Sequence, residues 1–182
     1  PENRLIASAV DGLLRSSSRL GNSPESAATR TPFKLLIVFG PNGAGKSHLA
    51  QGLVRHWQTQ HGEASAVYTT AADFRHLLND AVKRQAELGF RQQFRGRQLL
   101  VIDDLQHLPA ADFALDELRY TLDDYEENGG IVLVTATSSP STLPNLTADL
   151  CSRFAAGLVL QITHPGDAAR VRIIRYAAAA LG

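Results

Sequence analysis

The sequence has 182 residues, enough for one compact domain with a sizeable core. Apolar residues make up 44% and charged residues 20%, a composition that argues against disorder, and the longest run of large aliphatic or aromatic residues (35–39) is far shorter than the ~20 residues that span a bilayer. Eighteen basic residues balance eighteen acidic ones, so no net field draws the chain to nucleic acid or an anionic membrane, and the lone Cys151 excludes an internal disulfide.

Along the chain, residues 3–14 place Leu5, Ile6, Ala9, Val10, Leu13 and Leu14 at helical spacing. Residues 15–32 are rich in Ser, Gly and Pro and read as a mobile surface loop. From 33 onward, short apolar runs (35–39, 66–68, 99–102, 131–134 and 158–162) alternate with helical patterns at 46–60, 71–88, 111–127, 148–155 and 167–180. Continuous apolar strands alternating with helices predict a parallel five-stranded sheet covered on both faces, an α/β three-layer domain over 1–182 with its core at 33–180. Thr70 and Asp73 are spaced like a capping box, Asn128-Gly129-Gly130 offers residues that tolerate positive φ at a helix end, and Asp167 is the expected N-cap of the last helix.

Charge is unevenly spread. Lys83, Arg84, Arg91, Arg95 and Arg97 against Glu87 give a local +4, whereas 103–127 holds nine acids and the single base Arg119. The basic stretch reads either as a solvated helix face or as a nucleic-acid contact.

The strongest motif is Gly40-Pro41-Asn42-Gly43-Ala44-Gly45-Lys46-Ser47, a full GxxxxGK[ST] match between an apolar strand and a helical pattern. Glycines without Cβ atoms let the backbone wrap a phosphate with its N–H groups inward, and the following helix adds free amides and partial positive charge. Lys46 has the reach for β- and γ-phosphates, and the Ser47 hydroxyl is a magnesium ligand. A second strand ending in Asp103-Asp104 supplies the carboxylates such a site needs: Asp103 to hold Mg²⁺ and Asp104 to orient the attacking water. Asp is one methylene shorter than Glu, so slow hydrolysis is expected. Six histidines show no metal-ligand spacing, and Trp57, Phe74 and Cys151 fall at packing positions.

With these motifs in register, the chain resembles the AAA+ ATPases and, within them, the DnaA replication-initiator family. Lys46-Ser47-His48-Leu49 resembles that family's GKTHL, Ile102-Asp103-Asp104-Leu105-Gln106 its IDDIQ, Ser152-Arg153-Phe154 its SRF box, and Asn3-Arg4-Leu5 its opening segment beside the adenine. Residues 72–97 match the extra helical insertion of initiators and helicase loaders. The resemblance implies a P-loop NTPase fold that binds ATP or ADP with Mg²⁺ and assembles into a homo-oligomer on origin DNA. Arg153 is then an arginine finger acting in trans, and Thr137 stands at the sensor position facing the γ-phosphate, where the family has Asp in a TSDR-like run. Single-stranded origin DNA, the replicative helicase or another initiator protein are the implied partners.

The sequence departs from that pattern in three places. Residues 109–114 carry no base where the family has DNA-contacting ones, Asp149 replaces an arginine four residues before the finger, and the sequence stops where a helical lid would begin. The first two weaken DNA unwinding, since phosphate contacts supply much of such affinity, and favour a nucleotide-gated interaction module or helicase loader as the alternative. The lack of any methionine predicts a part of a longer product. The absence of a signal-like opening, together with one cysteine, predicts the cytoplasm.

Overall fold

A computed structural model describes residues 3–17, 33–167, 169–171 and 175. Five strands form one sheet: β1 (Leu35–Phe39), β2 (Ala66–Thr70), β3 (Leu99–Asp103), β4 (Ile131–Ala136) and β5 (Leu158–Gln161). Their order is β2-β3-β4-β1-β5, and every pairing is parallel. All carboxyl ends therefore lie along one edge, and the predicted α/β three-layer architecture holds. No helix among the described residues is long and apolar enough to cross a membrane.

Alternate residues of the central strands feed two cores. Leu36, Val38, Val101 and Leu133 pack under α1 (Arg4–Ser17) and α2 (Lys46–His61), where Ile6, Leu13, Leu53 and Trp57 are buried. Ile37, Ile102, Val132 and Val134 face α3 (Ala71–Lys83), α4 (Glu87–Phe94), α5 (Phe113–Glu127) and α6 (Ala148–Ala156). Trp57 and Phe74 are both core residues, as their positions predicted, and Cys151 is half-buried with its thiol on the Pro140 carbonyl (3.4 Å).

Three expectations need correction. The helical pattern at 71–88 is two helices: Arg84 caps α3, Gln85 takes φ 53°, and the chain restarts at Glu87. The bend has a packing cause. It brings Phe90 and Phe94 back onto Phe74, with ring centroids 4.8–5.0 Å apart, an aromatic cluster that a single straight helix would splay. Second, α1 runs three residues past 14, so 15–17 are helical; the remainder of the expected mobile loop, 18–32, lies outside the described residues. Third, Asp167 is already helical and the Gly166 carbonyl accepts from the Arg170 N–H (2.9 Å), which puts the cap one residue earlier. Most of the expected helix 167–180 lies outside the described residues.

The caps at Thr70 and at 128–130 follow the sequence. The Thr70 hydroxyl accepts from the Asp73 N–H (3.0 Å) and donates to its carboxylate (2.7 Å), and Gly129 takes φ 74° after α5.

Candidate functional site

The loop from Gly40 to Gly45 leaves the carboxyl end of β1 and turns directly into α2. Gly43 and Gly45 hold φ 78° and 98°, a region that disfavours side chains, and a Cβ on Gly40 would meet the Ile162 carbonyl oxygen at 2.0 Å. The first helical bond of α2 runs from the Leu49 N–H to the Gly45 carbonyl (2.9 Å), so the amides of Lys46, Ser47 and His48 have no partner in the helix ladder. Lys46 is buried, and its ammonium donates to the loop carbonyls of Gly40 (2.9 Å) and Pro41 (3.0 Å). Both partners are neutral, so a buried positive charge sits beside three free amides. That is a seat for an anion. Pro41 and Asn42 are exposed on the loop, Ala44 packs inward, Ser47 is half-buried and His48 is exposed.

On the same edge, with β4 between it and β1, Asp103 closes β3. It is 1% exposed, and each oxygen accepts one hydroxyl: Oδ1 from Thr135 and Oδ2 from Tyr68 (2.7 Å). Tyr68 in turn accepts from the Gln51 amide (3.4 Å). Burial raises the Tyr68 phenol, Gln51 opposes this, and the Asp103 and Asp104 carboxylates push it further up; the net direction is above 10.0, so the phenol remains a donor. Carboxylate oxygens carry two lone pairs each, which leaves both Asp103 oxygens a free site for the water shell of a cation.

Asp104 adopts a left-handed conformation, φ 59° and ψ 55°, which costs a non-glycine residue roughly 1–2 kcal/mol. Its N–H donates to Thr135 Oγ1 (2.9 Å) and its Oδ1 accepts from the Gln106 amide (2.9 Å). The Gln106 carbonyl oxygen accepts from the Thr137 N–H (3.1 Å), so one glutamine side chain ties the turn after β3 to the end of β4. Thr135, Thr137, Asp103, Asp104 and Lys46 thus share one edge. Tyr68, Thr135 and Gln106 complete the network. The sequence alone assigns no role to Thr135 or Tyr68 and places Gln106 only within a motif, although the position of Tyr68 two residues before Thr70 sets it on the face that carries Asp103.

Asn3 is brought to the same end. Its amide donates to the Thr163 carbonyl and accepts from the Thr163 N–H, both at 3.3 Å, which ties the entry to α1 to the segment after β5. The next residue, His164, lies 3.8 Å from where a Gly43 Cβ would stand.

Arg153 is not part of this cluster. It sits on α6 with its guanidinium on Asp123 and Glu126 of α5, beside a pocket of about 600 Å³ lined by Leu35, Val132 and Leu158 from the entry ends of three strands. The phosphate loop and Arg153 occupy opposite ends of the sheet.

Residues 16–161 match the family model of the bacterial DnaA ATPase domain. The chain belongs to that family. Among DnaA proteins, the chromosomal replication initiator protein DnaA of Sphingopyxis alaskensis (strain DSM 13593 / LMG 18877 / RB2256) is 33% identical over 152 residues, 84% of this chain and 34% of that protein. Domain III of the Thermotoga maritima replication initiation protein DnaA superposes with a TM-score of 0.80 at 26% identity, covering 96% of this chain and 68% of that one. A replication initiator DnaA bound to AMPPCP and single-stranded DNA shares the fold with a TM-score of 0.81 at 21% identity, over 97% of this chain and 51% of that chain. The chain spans about a third of the length of the curated DnaA proteins it matches.

Proposed function

We propose that this DnaA-type ATPase domain binds ATP or ADP with Mg²⁺ at the Gly40–Ser47 loop and serves as a nucleotide switch for oligomeric assembly on origin DNA in the cytoplasm. The observation that carries the reading is Lys46, a buried ammonium that among the described residues is held by loop carbonyls alone, next to amides of α2 without a partner in the helix ladder. An arriving polyphosphate satisfies all of these groups at once.

Bound there, ATP supplies the phosphoryl bond to be broken and Mg²⁺ neutralises the charge on its oxygens. The chain's own residues do the rest. The loop amides and Lys46 grip the phosphates, the Ser47 hydroxyl and Asp103 hold the cation, and Asn3 borders the base. Asp104, aimed by Gln106, takes up the proton of the attacking water. Thr137 is the sensor. Arg153, remote from its own loop, serves the site of a neighbouring copy.

A second reading, a nucleotide-gated interaction module or helicase loader without DNA binding, draws on a specific observation. Three of the five bases of 83–97 contact their own domain, while Lys83 and Arg84 are exposed: Arg91 and Arg95 bind Glu117, and Arg97 binds the Ala64 carbonyl (2.7 Å). On this reading the partner is the replicative helicase or another initiator protein.

Titration calorimetry of Lys46→Ala tests the core claim. ATP affinity is expected to vanish, and unchanged affinity would remove the nucleotide site.

A further inference from the structure

Asp103 presents an uncommon arrangement for a buried acid. It is 1% exposed, yet its partners Thr135 and Tyr68 are neutral hydroxyls that orient the carboxylate without cancelling its charge. The Thr135 bond follows from register, because Ile102 pairs with Val134 and the next residues face each other. The Tyr68 bond requires more. Tyr68 pairs with Val101 and lies two residues upstream of Thr70, the register partner of Asp103. Two strand residues span about 6.6 Å, a gap that a serine or threonine at 68 would not bridge and a phenol does. The ring packs against the core under α1 and α2, and Gln51, one turn after Ser47 on α2, donates to the same hydroxyl. A hydrogen-bonded path therefore links the helix that carries Lys46 and Ser47 to the carboxylate at the end of β3.

We propose that Tyr68 is a positioning residue for the magnesium ion: its hydroxyl locks the Asp103 carboxylate in the orientation that leaves a free lone pair on each oxygen for the metal's water shell. The inference rests on reading the Gly40–Ser47 loop as a magnesium–nucleotide site. Partners of this kind, which hold a metal ligand from behind, typically change metal affinity by 10–100-fold when removed. In this domain the control is exerted from β2, a strand that carries none of the residues expected to touch nucleotide.

Tyr68→Phe keeps the half-buried ring and deletes only the hydroxyl. The readout is ADP affinity by calorimetry in excess Mg²⁺ and in excess EDTA, which involves no turnover. In the wild-type chain Mg²⁺ is expected to strengthen binding. In Y68F the EDTA affinity is expected to stay within twofold of wild type, while the Mg²⁺-dependent gain shrinks about tenfold. A thermal melt with no change in cooperativity shows that the variant is folded. A Y68F protein that melts lower but keeps the full magnesium gain would overturn the inference and leave Tyr68 a packing residue. A wild-type chain that binds no ADP in either condition would instead overturn the nucleotide site itself.

Discussion

Arg91 grips Glu117 with both arms of its guanidinium, Nε to Oε1 and Nη2 to Oε2, each at 3.1 Å. Arg95 binds the same carboxylate, and Glu117 is 7% exposed in the middle of α5. The contact draws the guanidinium further toward its charged form, chiefly through the hydrogen bonds to Glu117. Two of the five bases of 83–97 are thus mates of the acidic helix that follows them in sequence.

Glu117→Gln should therefore cost roughly 1–3 kcal/mol in urea unfolding. Breaking a buried pair usually costs more, but Arg91 is 43% exposed and water screens part of the loss. If the arginines are spent in this way, Arg91→Ala should leave the salt dependence of any single-strand affinity unchanged. A slope smaller by about 1 unit would mean that Arg91 touches a phosphate after all.

Asp104, the base of the proposed reaction, holds a left-handed backbone conformation. Asparagine tolerates the left-handed region, so Asp104→Asn should fold normally and keep ATP affinity. It cannot take a proton from water, and turnover is expected to fall about 10²–10⁴-fold. Single-turnover hydrolysis checks this, and a loss below threefold would assign the base elsewhere.

The phosphate loop was legible because its chemistry is local: glycines, lysine and serine at fixed spacing leave few other structures open. Asp103 and Asp104 were legible as the end of an apolar strand. The Tyr68–Asp103 bond was not, because it depends on which strands pair and in what register, and sequence spacing alone does not give β2 beside β3. The break at 84–86 was hidden for a different reason. No glycine or proline marks it, and it is imposed by Phe90 and Phe94 packing on Phe74, a tertiary effect that overrides a continuous helical pattern. The partners of Arg91 and Arg95 were not legible because charge was counted along the chain, whereas Glu117 arrives from another helix.

Asp112 makes acid stability testable. Burial alone pushes its carboxyl up, but the Ala114 N–H (2.9 Å) and the Arg75 guanidinium outweigh burial and hold it below its ordinary 3.8. A carboxyl depressed on folding contributes stability that is complete above its unfolded pKa and disappears as pH falls through the folded value. Melting temperature should thus drop on acidification below about pH 4. In Asp112→Ala that component of the acid slope should be absent, and the loss of the helix cap and ion pair should cost about 1–2 kcal/mol at neutral pH. A variant with the wild-type acid slope would show that Asp112 titrates normally.

If Arg153 is the finger proposed above, the domain does not work alone. Its guanidinium lies on Asp123 and, at 3.2 Å, on Glu126, at the end of the sheet opposite Lys46. Paired at the surface, it contributes within about 1 kcal/mol to stability, so Arg153→Ala should melt near wild type and keep its ATP affinity. On the proposed reading its effect belongs to a neighbour, where an arginine supplied in trans is worth about 10³–10⁵ in rate. Mixing separates this from an effect on its own site. Lys46→Ala copies lack a nucleotide grip but carry the finger, while Arg153→Ala copies bind nucleotide without one. In the full-length protein each variant alone should be inactive, and their mixture should recover a measurable share of wild-type turnover, because only heterologous neighbours combine an intact loop with an intact arginine. A mixture as inactive as its components would place Arg153 outside catalysis and leave it the surface ion pair that α5 already makes of it.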